Sequence, residues 1–479
     1  MKELSINKKE ILSIIHGDES NTILFAGDSV THGPLHTKGY RSYSEHLKER
    51  LRGESINGKL KVDNFIINTG VSSAQTKDVL ARYETWIAKY NPKIVFLTFG
   101  MNDCVGTTLA IYKENLRTLV KKVREIGAIP IIQTVNTTNG AREDELPSFM
   151  EGARIIANEL DVFLIDHNQY WKELGKSVTN EWLGDAIHPN EKGQLELAKL
   201  IFRELKLDTE DSYTQKLSYP LEGSGTAKPI LDVSSGNDFK CSKVGVSNNF
   251  TEIRNKTIQS SIANSWVLIG DASNSGNGAT YGYKNYGEYF EERIRWELSA
   301  DQMIARERYV IDSAVDGADS KVINENFNKW VAIFNPDIVS IMIGGNEKGT
   351  PKEFEASLKQ LIQKSRDINA TVMLQTPVLQ ENDITPYVNI ILNVGKELNI
   401  PVVDHYNTWK ALEKNNSHLK EAFLNKDYKL NHRGHLRVAQ DMMKALGIFD
   451  SNSISAGAKV DMKYEVAEDY GYGINKVIN

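Results

Sequence analysis

The sequence predicts an α/β architecture repeated in tandem: two domains, each a central parallel sheet with helices on both faces. Three observations predict it. Short apolar runs rich in β-branched residues alternate with helical patterns, as in a doubly wound sheet. Those runs carry little polar alternation, which is expected of strands covered on both faces. The same order of elements then recurs far along the chain, Gly27 returning as Gly270, 243 positions on. A period that long implies duplication of a whole domain.

The first set of runs is 22–26 (TILFA), 64–68 (NFIIN), 94–99 (IVFLTF), 129–134 (IPIIQT) and 162–165 (VFLI). Helical patterns lie between them at 43–52, 76–90 and 109–126, and a last one follows at 191–205. In the second set, 266–270 (WVLIG) falls on 23–27, and Gly282-Tyr283 falls on Gly39-Tyr40. The offset is then 244 for 309–315 on 65–71, Asn335-Pro336 on Asn91-Pro92, and 344–346 on 100–102. Gln375-Thr376, Asp404-His405 with Trp409, and Gly434 with Ala439 echo Gln133-Thr134, Asp166-His167 with Trp171, and Gly193 with Ala198.

A length of 479 residues allows about three domains at about 150 residues each. The repeat resolves it into domains at 1–207 and 249–449, with polar segments at 208–248 and 450–479. These segments read either as linker and tail or as strands pairing into a small β unit packed on a domain, 458–466 among them. Hydrophobic residues are 40% and charged residues 25%, which excludes a disordered or collagen-like chain. With 57 Lys and Arg against 63 Asp and Glu the net charge is −6, a poor footprint for nucleic acid. Cys104 and Cys241 are far apart in sequence, without metal-ligand spacing. No apolar run is long enough to span a bilayer. The N-terminal residues lack a leader pattern, so the expected location is the cytoplasm, with a secreted protein whose leader has been removed still open.

The strongest local signal is Gly27-Asp28-Ser29, directly after a buried run. A serine at a strand-to-helix turn, beyond the carboxyl end of a sheet, suits a nucleophile. On its own the triplet also fits a turn in which Ser29 caps a helix. Asp28 is read as structural, its side chain binding turn N–H groups. Three further segments raise the weight: Asn68-Thr69-Gly70, Gly100-Met101-Asn102-Asp103, and Asp185-Ala186-Ile187-His188-Pro189 before the last helical pattern. All follow predicted strands or precede that helix, so all belong to one edge of the sheet.

With these four blocks in order, the chain resembles the SGNH family of GDSL-type hydrolases, fully over about 20–205 and in degenerate form over about 262–447. The resemblance implies flavodoxin-like, three-layer SGNH-type domains. It implies Ser29 as nucleophile, His188 as the base, and Asp185 orienting the imidazole. The oxyanion would be met by the backbone N–H of Ser29, the backbone N–H of Gly70 and the side-chain amide of Asn102. Gly70 suits that place because a side chain would crowd the oxyanion. No metal or organic cofactor is called for. The stretch 36–43 (HTKGYRSY) follows the nucleophile turn. Tyr40 and Arg41 there are candidate substrate contacts, by stacking on a sugar and by meeting an anionic group.

The second copy departs at the positions that matter. Ala272 falls on Ser29, Ala314 on Gly70, Lys426 on Asp185 and Lys429 on His188, while Asn346 falls on Asn102. His432 and His435 are displaced from the family position. The expectation is one catalytic domain and one non-catalytic copy. The expected function is a serine esterase acting on short acyl esters, acetyl above all, of a carbohydrate or polysaccharide. Two alternatives stay open: O-acetyl transfer to a sugar hydroxyl through the same residues, and a carbohydrate-binding or scaffold protein acting through the second domain. An ester substrate, small or polymeric, is the expected partner, and self-association is open.

Overall fold

The computed structural model of the chain describes residues 6–61, 63–219, 250–258, 263–271, 275–276, 279–298, 304–414, 419–425 and 428–457. It divides into two compact units, Met1–Pro220 and Leu221–Asn479. In the first, β1 (Thr22–Gly27), β2 (Phe65–Asn68), β3 (Ile94–Thr98), β4 (Ile129–Gln133) and β5 (Phe163–Ile165) form one sheet in the order β2-β1-β3-β4-β5. All neighbours are parallel, with Thr22 opposite Phe65, Ile23 opposite Ile94, Ile94 opposite Ile129 and Ile131 opposite Phe163. Every residue of β1, β3 and β4 is buried, which is why these runs show no polar alternation.

The helices cover both faces. Leu109–Glu125 buries Tyr112, Leu116, Leu119, Val120 and Val123, a single stripe at helical spacing. The chain runs from β1 outward to β2, then crosses to β3 on the other side. Strand order therefore reverses between β1 and β3, and the loops leaving their carboxyl ends frame a crevice.

The second unit has the same topology. Strands β6 (Asn264–Gly270), β7 (Arg308–Asp312), β8 (Ile338–Met342), β9 (Thr371–Gln375) and β10 (Val402–Val403) are ordered β10-β9-β8-β6-β7. Smaller devices recur too. Asn91 and Asn335 each end a short 3₁₀ turn with φ of 47° and 46°. Gln133 Nε2 lies 3.0 Å from His167 Nε2, and at the matching positions Gln375 Oε1 lies 2.8 Å from His405 Nε2. Asn190 and Asn431 each cap the last long helix by accepting two backbone N–H groups. Matching detail at this level is consistent with tandem duplication.

Two expectations need amendment. The helix expected over 76–90 is broken into Thr76–Ala81, Tyr83–Trp86 and a 3₁₀ turn, Ala88–Tyr90. The second unit breaks in the same way, into Ser320–Glu325, Phe327–Trp330 and Ala332–Phe334, so the interruptions belong to the fold. Residues 208–219, the described start of the expected linker, pack on the first unit. Leu207 O accepts from Arg50 Nε at 2.7 Å, and Thr214 N donates to Glu54 at 3.1 Å, docking the short helix Tyr213–Lys216 on the first unit. The small antiparallel sheet pairs Ser55–Ile56 with Lys59–Leu60 through Asn57-Gly58, both at positive φ. That Asn-Gly is an ordinary hairpin signal. The expected strand at 458–466 and residues 220–249 lie outside the described residues. No helix among the described residues is long and apolar enough to cross a membrane.

Candidate active site

Ser29 begins a one-turn helix, Ser29–His32, directly after β1. Asp28 fixes this turn: its Oδ1 accepts from Val30 N at 2.9 Å. Asp28 is fully buried, and burial pushes its carboxyl up to about 7 in spite of the Val30 N–H. Ser29 Oγ lies 2.8 Å from His188 Nε2, and His188 Nδ1 lies 2.7 Å from Asp185 Oδ2. The other oxygen of Asp185 accepts from the N–H groups of Ile187 and His188 at 2.8 and 2.7 Å. Burial opposes the charge on Asp185, but those two N–H groups and the His188 ring outweigh it and hold the carboxyl at about 2. An ionised carboxylate therefore faces the ring nitrogen remote from the serine.

The loop carrying Asp185 and His188 is held from several sides. A bridge between Leu183 and Pro189 closes it. Asn136 Nδ2 donates to Ile187 O at 3.0 Å, and Asn190 Nδ2 reaches Glu181 O and Leu183 O. Gln194, on the helix Glu191–Glu204, donates to Val30 O at 3.0 Å and ties that helix to the serine turn.

Gly70 and Asn102 stand at the ends of β2 and β3, on the same edge. The Gly70 N–H is engaged by Asn68 Oδ1 at 2.9 Å, so any further acceptor must share it. A Cβ at Gly70 would stand 2.7 Å from His32 N and 2.8 Å from Thr31 Cβ. The close approach of the Ser29–His32 turn by itself requires the glycine. Asn102 Nδ2 donates one hydrogen to Ala74 O at 3.1 Å, and an amide has a second. Its Oδ1 accepts from Arg142 at 3.2 Å, which fixes which end of the amide is the donor. Arg142 also donates to Met101 O and sits at φ 58°. Asp103 accepts from Thr76 N and Oγ1 at 3.0 and 2.6 Å, tying the loop after β3 to the helix after β2.

Tyr40 and Arg41 are not part of this cleft, which corrects the expectation for both. Arg41 has no exposed surface and pairs with buried Glu49 at 2.7 Å. A buried guanidinium must be paired. Tyr40 is buried against Tyr219, their ring centroids 4.4 Å apart. The second unit keeps the arrangement with Lys284 and Glu292, both buried, 3.8 Å apart.

From the same stretch it is His36 that reaches the site. Its ring stacks on His188 with centroids 4.9 Å apart and planes 11° apart. His36, Asp185 and His188 form a group, among the described residues, whose donor atoms lie close enough to hold a cation. The near-parallel rings direct their in-plane lone pairs along parallel planes, a poor arrangement for chelation. A separate cavity of about 220 Å³, lined by Thr138, Leu146 and Trp171 among others, contains none of the relay residues. Sequence reading placed His36 only within the stretch 36–43, without a role of its own, and missed Arg142. Arg142 follows β4, far from every motif, and nothing local marks it.

In the second unit Lys429, on the His188 position, pairs with Asp316 at 2.9 Å. Ala314 N–H bonds Asp312 Oδ1 as Gly70 bonds Asn68. Ala272 and Lys426 lie outside the described residues.

The model of the GDSL-like Lipase/Acylhydrolase family matches residues 25–195 and again 268–437. Acetylxylan esterase of Geobacillus stearothermophilus is 25% identical over 211 residues, 38% of this chain and 93% of that protein. Thioesterase 1/protease 1/lysophospholipase L1 of Escherichia coli (strain K12) is 24% identical over 200 residues, 41% of this chain and 88% of that protein. Among solved structures, Axe2, an acetylxylan esterase from Geobacillus stearothermophilus, is 22% identical with a TM-score of 0.34, covering 39% of this chain and 94% of that one. LAE5, an alpha/beta hydrolase enzyme from the metagenome of Lake Arreo, Spain, is 19% identical with a TM-score of 0.36, covering 41% and 100%. With one match in each α/β unit and well over half of its residues matched, the chain belongs to the GDSL-like lipase/acylhydrolase family.

Proposed function

We propose that the first unit is a serine ester hydrolase that removes short acyl groups, acetyl above all, from hydroxyls of a carbohydrate. The observation that carries this reading is the unbroken relay from Ser29 through His188 to Asp185 at the edge where strand order reverses. Ser29 Oγ attacks the ester carbonyl carbon and its proton passes to His188 Nε2. The oxyanion is met by the Ser29 and Gly70 amides and by Asn102. The carbon–oxygen bond to the alcohol breaks, and that oxygen takes the proton from His188. Water then attacks the acyl-serine, giving its proton to His188, which returns it to Ser29 as the acid leaves. Arg142 supports this reading by orienting the Asn102 amide.

The carbohydrate part draws on the acetylxylan esterase relative. The second unit is non-catalytic on this reading, because alanine cannot attack and a lysine pair cannot replace the Asp–His relay. Incubation with a serine-directed phosphonate, followed by peptide mapping, tests the mechanism. The expected adduct is on Ser29, and it is absent in His188→Ala. Folded wild-type protein with Ser29 unlabelled overturns the reading. A screen of acyl lengths tests the substrate: acetyl esters are favoured, and a strong preference for long chains sinks the acetyl assignment.

A further inference from the structure

Two imidazoles share one carboxylate in the first unit. His36 Nε2 lies 3.5 Å from Asp185 Oδ2, the same oxygen that His188 Nδ1 reaches at 2.7 Å. The His36 ring lies flat against His188, with planes 11° apart.

The loops are shaped to admit this stack. A Cβ on Gly184 would stand 2.7 Å from His36 Nδ1 and 3.0 Å from its Cβ and Cγ. On the other side Leu35 holds φ 69°, a region that a residue with a Cβ enters only at a cost.

The second unit gives an internal control. Gly33 and Gly276 correspond, with φ of 69° and 65°, and the Leu183–Pro189 bridge corresponds to Leu424–Leu430. These anchors put Ala279 on His36 and Asn425 on Gly184. The large and small partners are exchanged together. The exchange accompanies the loss of Ser29, Asp185 and His188. Tyr40 persists as Tyr283, and the buried pair Arg41–Glu49 persists as Lys284–Glu292. Residues that serve the fold survive in the second copy, whereas His36 goes with the relay.

We propose that His36 is a positioning residue of the candidate active site: it presses its ring against His188 and shares Asp185 with it, holding the base in line with Ser29. This rests on the hydrolase reading above. The charged or titratable groups around His36 are His188 and Asp185 from the facing loop and Lys38 from its own. Glu191, at the head of the next helix, lies 3.5 Å from Lys38. Burial and the neighbouring His188 hold His36 below the usual histidine range.

The test uses the full chain with p-nitrophenyl acetate and compares His36→Ala with His36→Phe. In His36→Ala, kcat falls about tenfold or more with KM little changed, as expected of a misaligned base. His36→Phe restores the flat face and regains most of kcat. If His36→Ala keeps the wild-type kcat, or loses activity through KM alone, the inference is overturned. Should the Ala variant fail to fold, His36→Gln, which has similar reach but no ring, is compared with His36→Phe, and equal kcat in the two overturns it equally. A wild type that neither turns over nor labels on Ser29 overturns the hydrolase reading, and this inference with it. An active wild type with unaltered variants overturns this inference alone.

Discussion

Asp28 and Asp185 are both aspartates at the sheet edge, and their surroundings pull them in opposite directions. Asp185 receives two backbone N–H groups and faces an imidazole, so its charge is favoured. Asp28 is fully buried, with its carboxyl raised to about 7. A folded-state pKa raised above the unfolded value means that the folded form binds the proton more tightly. Stability from this group is present in full below the ordinary aspartate range and is lost as pH rises toward about 7. Asp28→Asn keeps an oxygen for Val30 N–H but cannot ionise. The variant is expected to gain melting temperature over wild type at pH 8 and to gain less, or lose, at pH 5. An equal change at both values would show that Asp28 does not titrate in this window. The same residue illustrates what sequence reading sees: its capping role was legible from GDS, whereas its buried, proton-holding state depends on packing from distant elements.

The element that joins chemistry to fold is the last long helix of each unit. Asn190 accepts from Lys192 and Gly193, and its amide closes the Asp185–His188 loop onto Glu181 and Leu183. Asn431 makes the corresponding cap and reaches Ala422 O at 3.1 Å. Each Asn→Ala change is expected to cost about 1–2 kcal/mol of stability, measured by chemical unfolding. Only Asn190→Ala should also lower kcat, because only there does the capped loop carry the proposed base, His188. Equal activity loss in both variants would contradict that division. The five strands of the first copy were readable in sequence, and the repeat carried two of them, 266–270 and 309–315, into the second. The broken helix after β2 was not readable, since its apolar positions fit one continuous helical face.

For the whole molecule the reading is two cores and one active site. Ser29→Ala in the full chain is expected to abolish both ester hydrolysis and phosphonate labelling. Residual labelling of a residue beyond 220 would show that the second unit has its own nucleophile. Sequence alone determined the tandem α/β organisation, the strand order of events along the chain, and the four blocks that carry Ser29, Gly70, Asn102, Asp185 and His188. It could do so because buried parallel strands and tight functional turns impose residue types locally. Only the tertiary structure decided which residues of the stretch 36–43 face the cleft. Tyr40 and Arg41 turn into the core, where Glu49 and Tyr219 receive them, and His36 turns outward onto His188. The place of that imidazole depends on a glycine 148 positions away, Gly184, whose missing Cβ leaves the room it occupies.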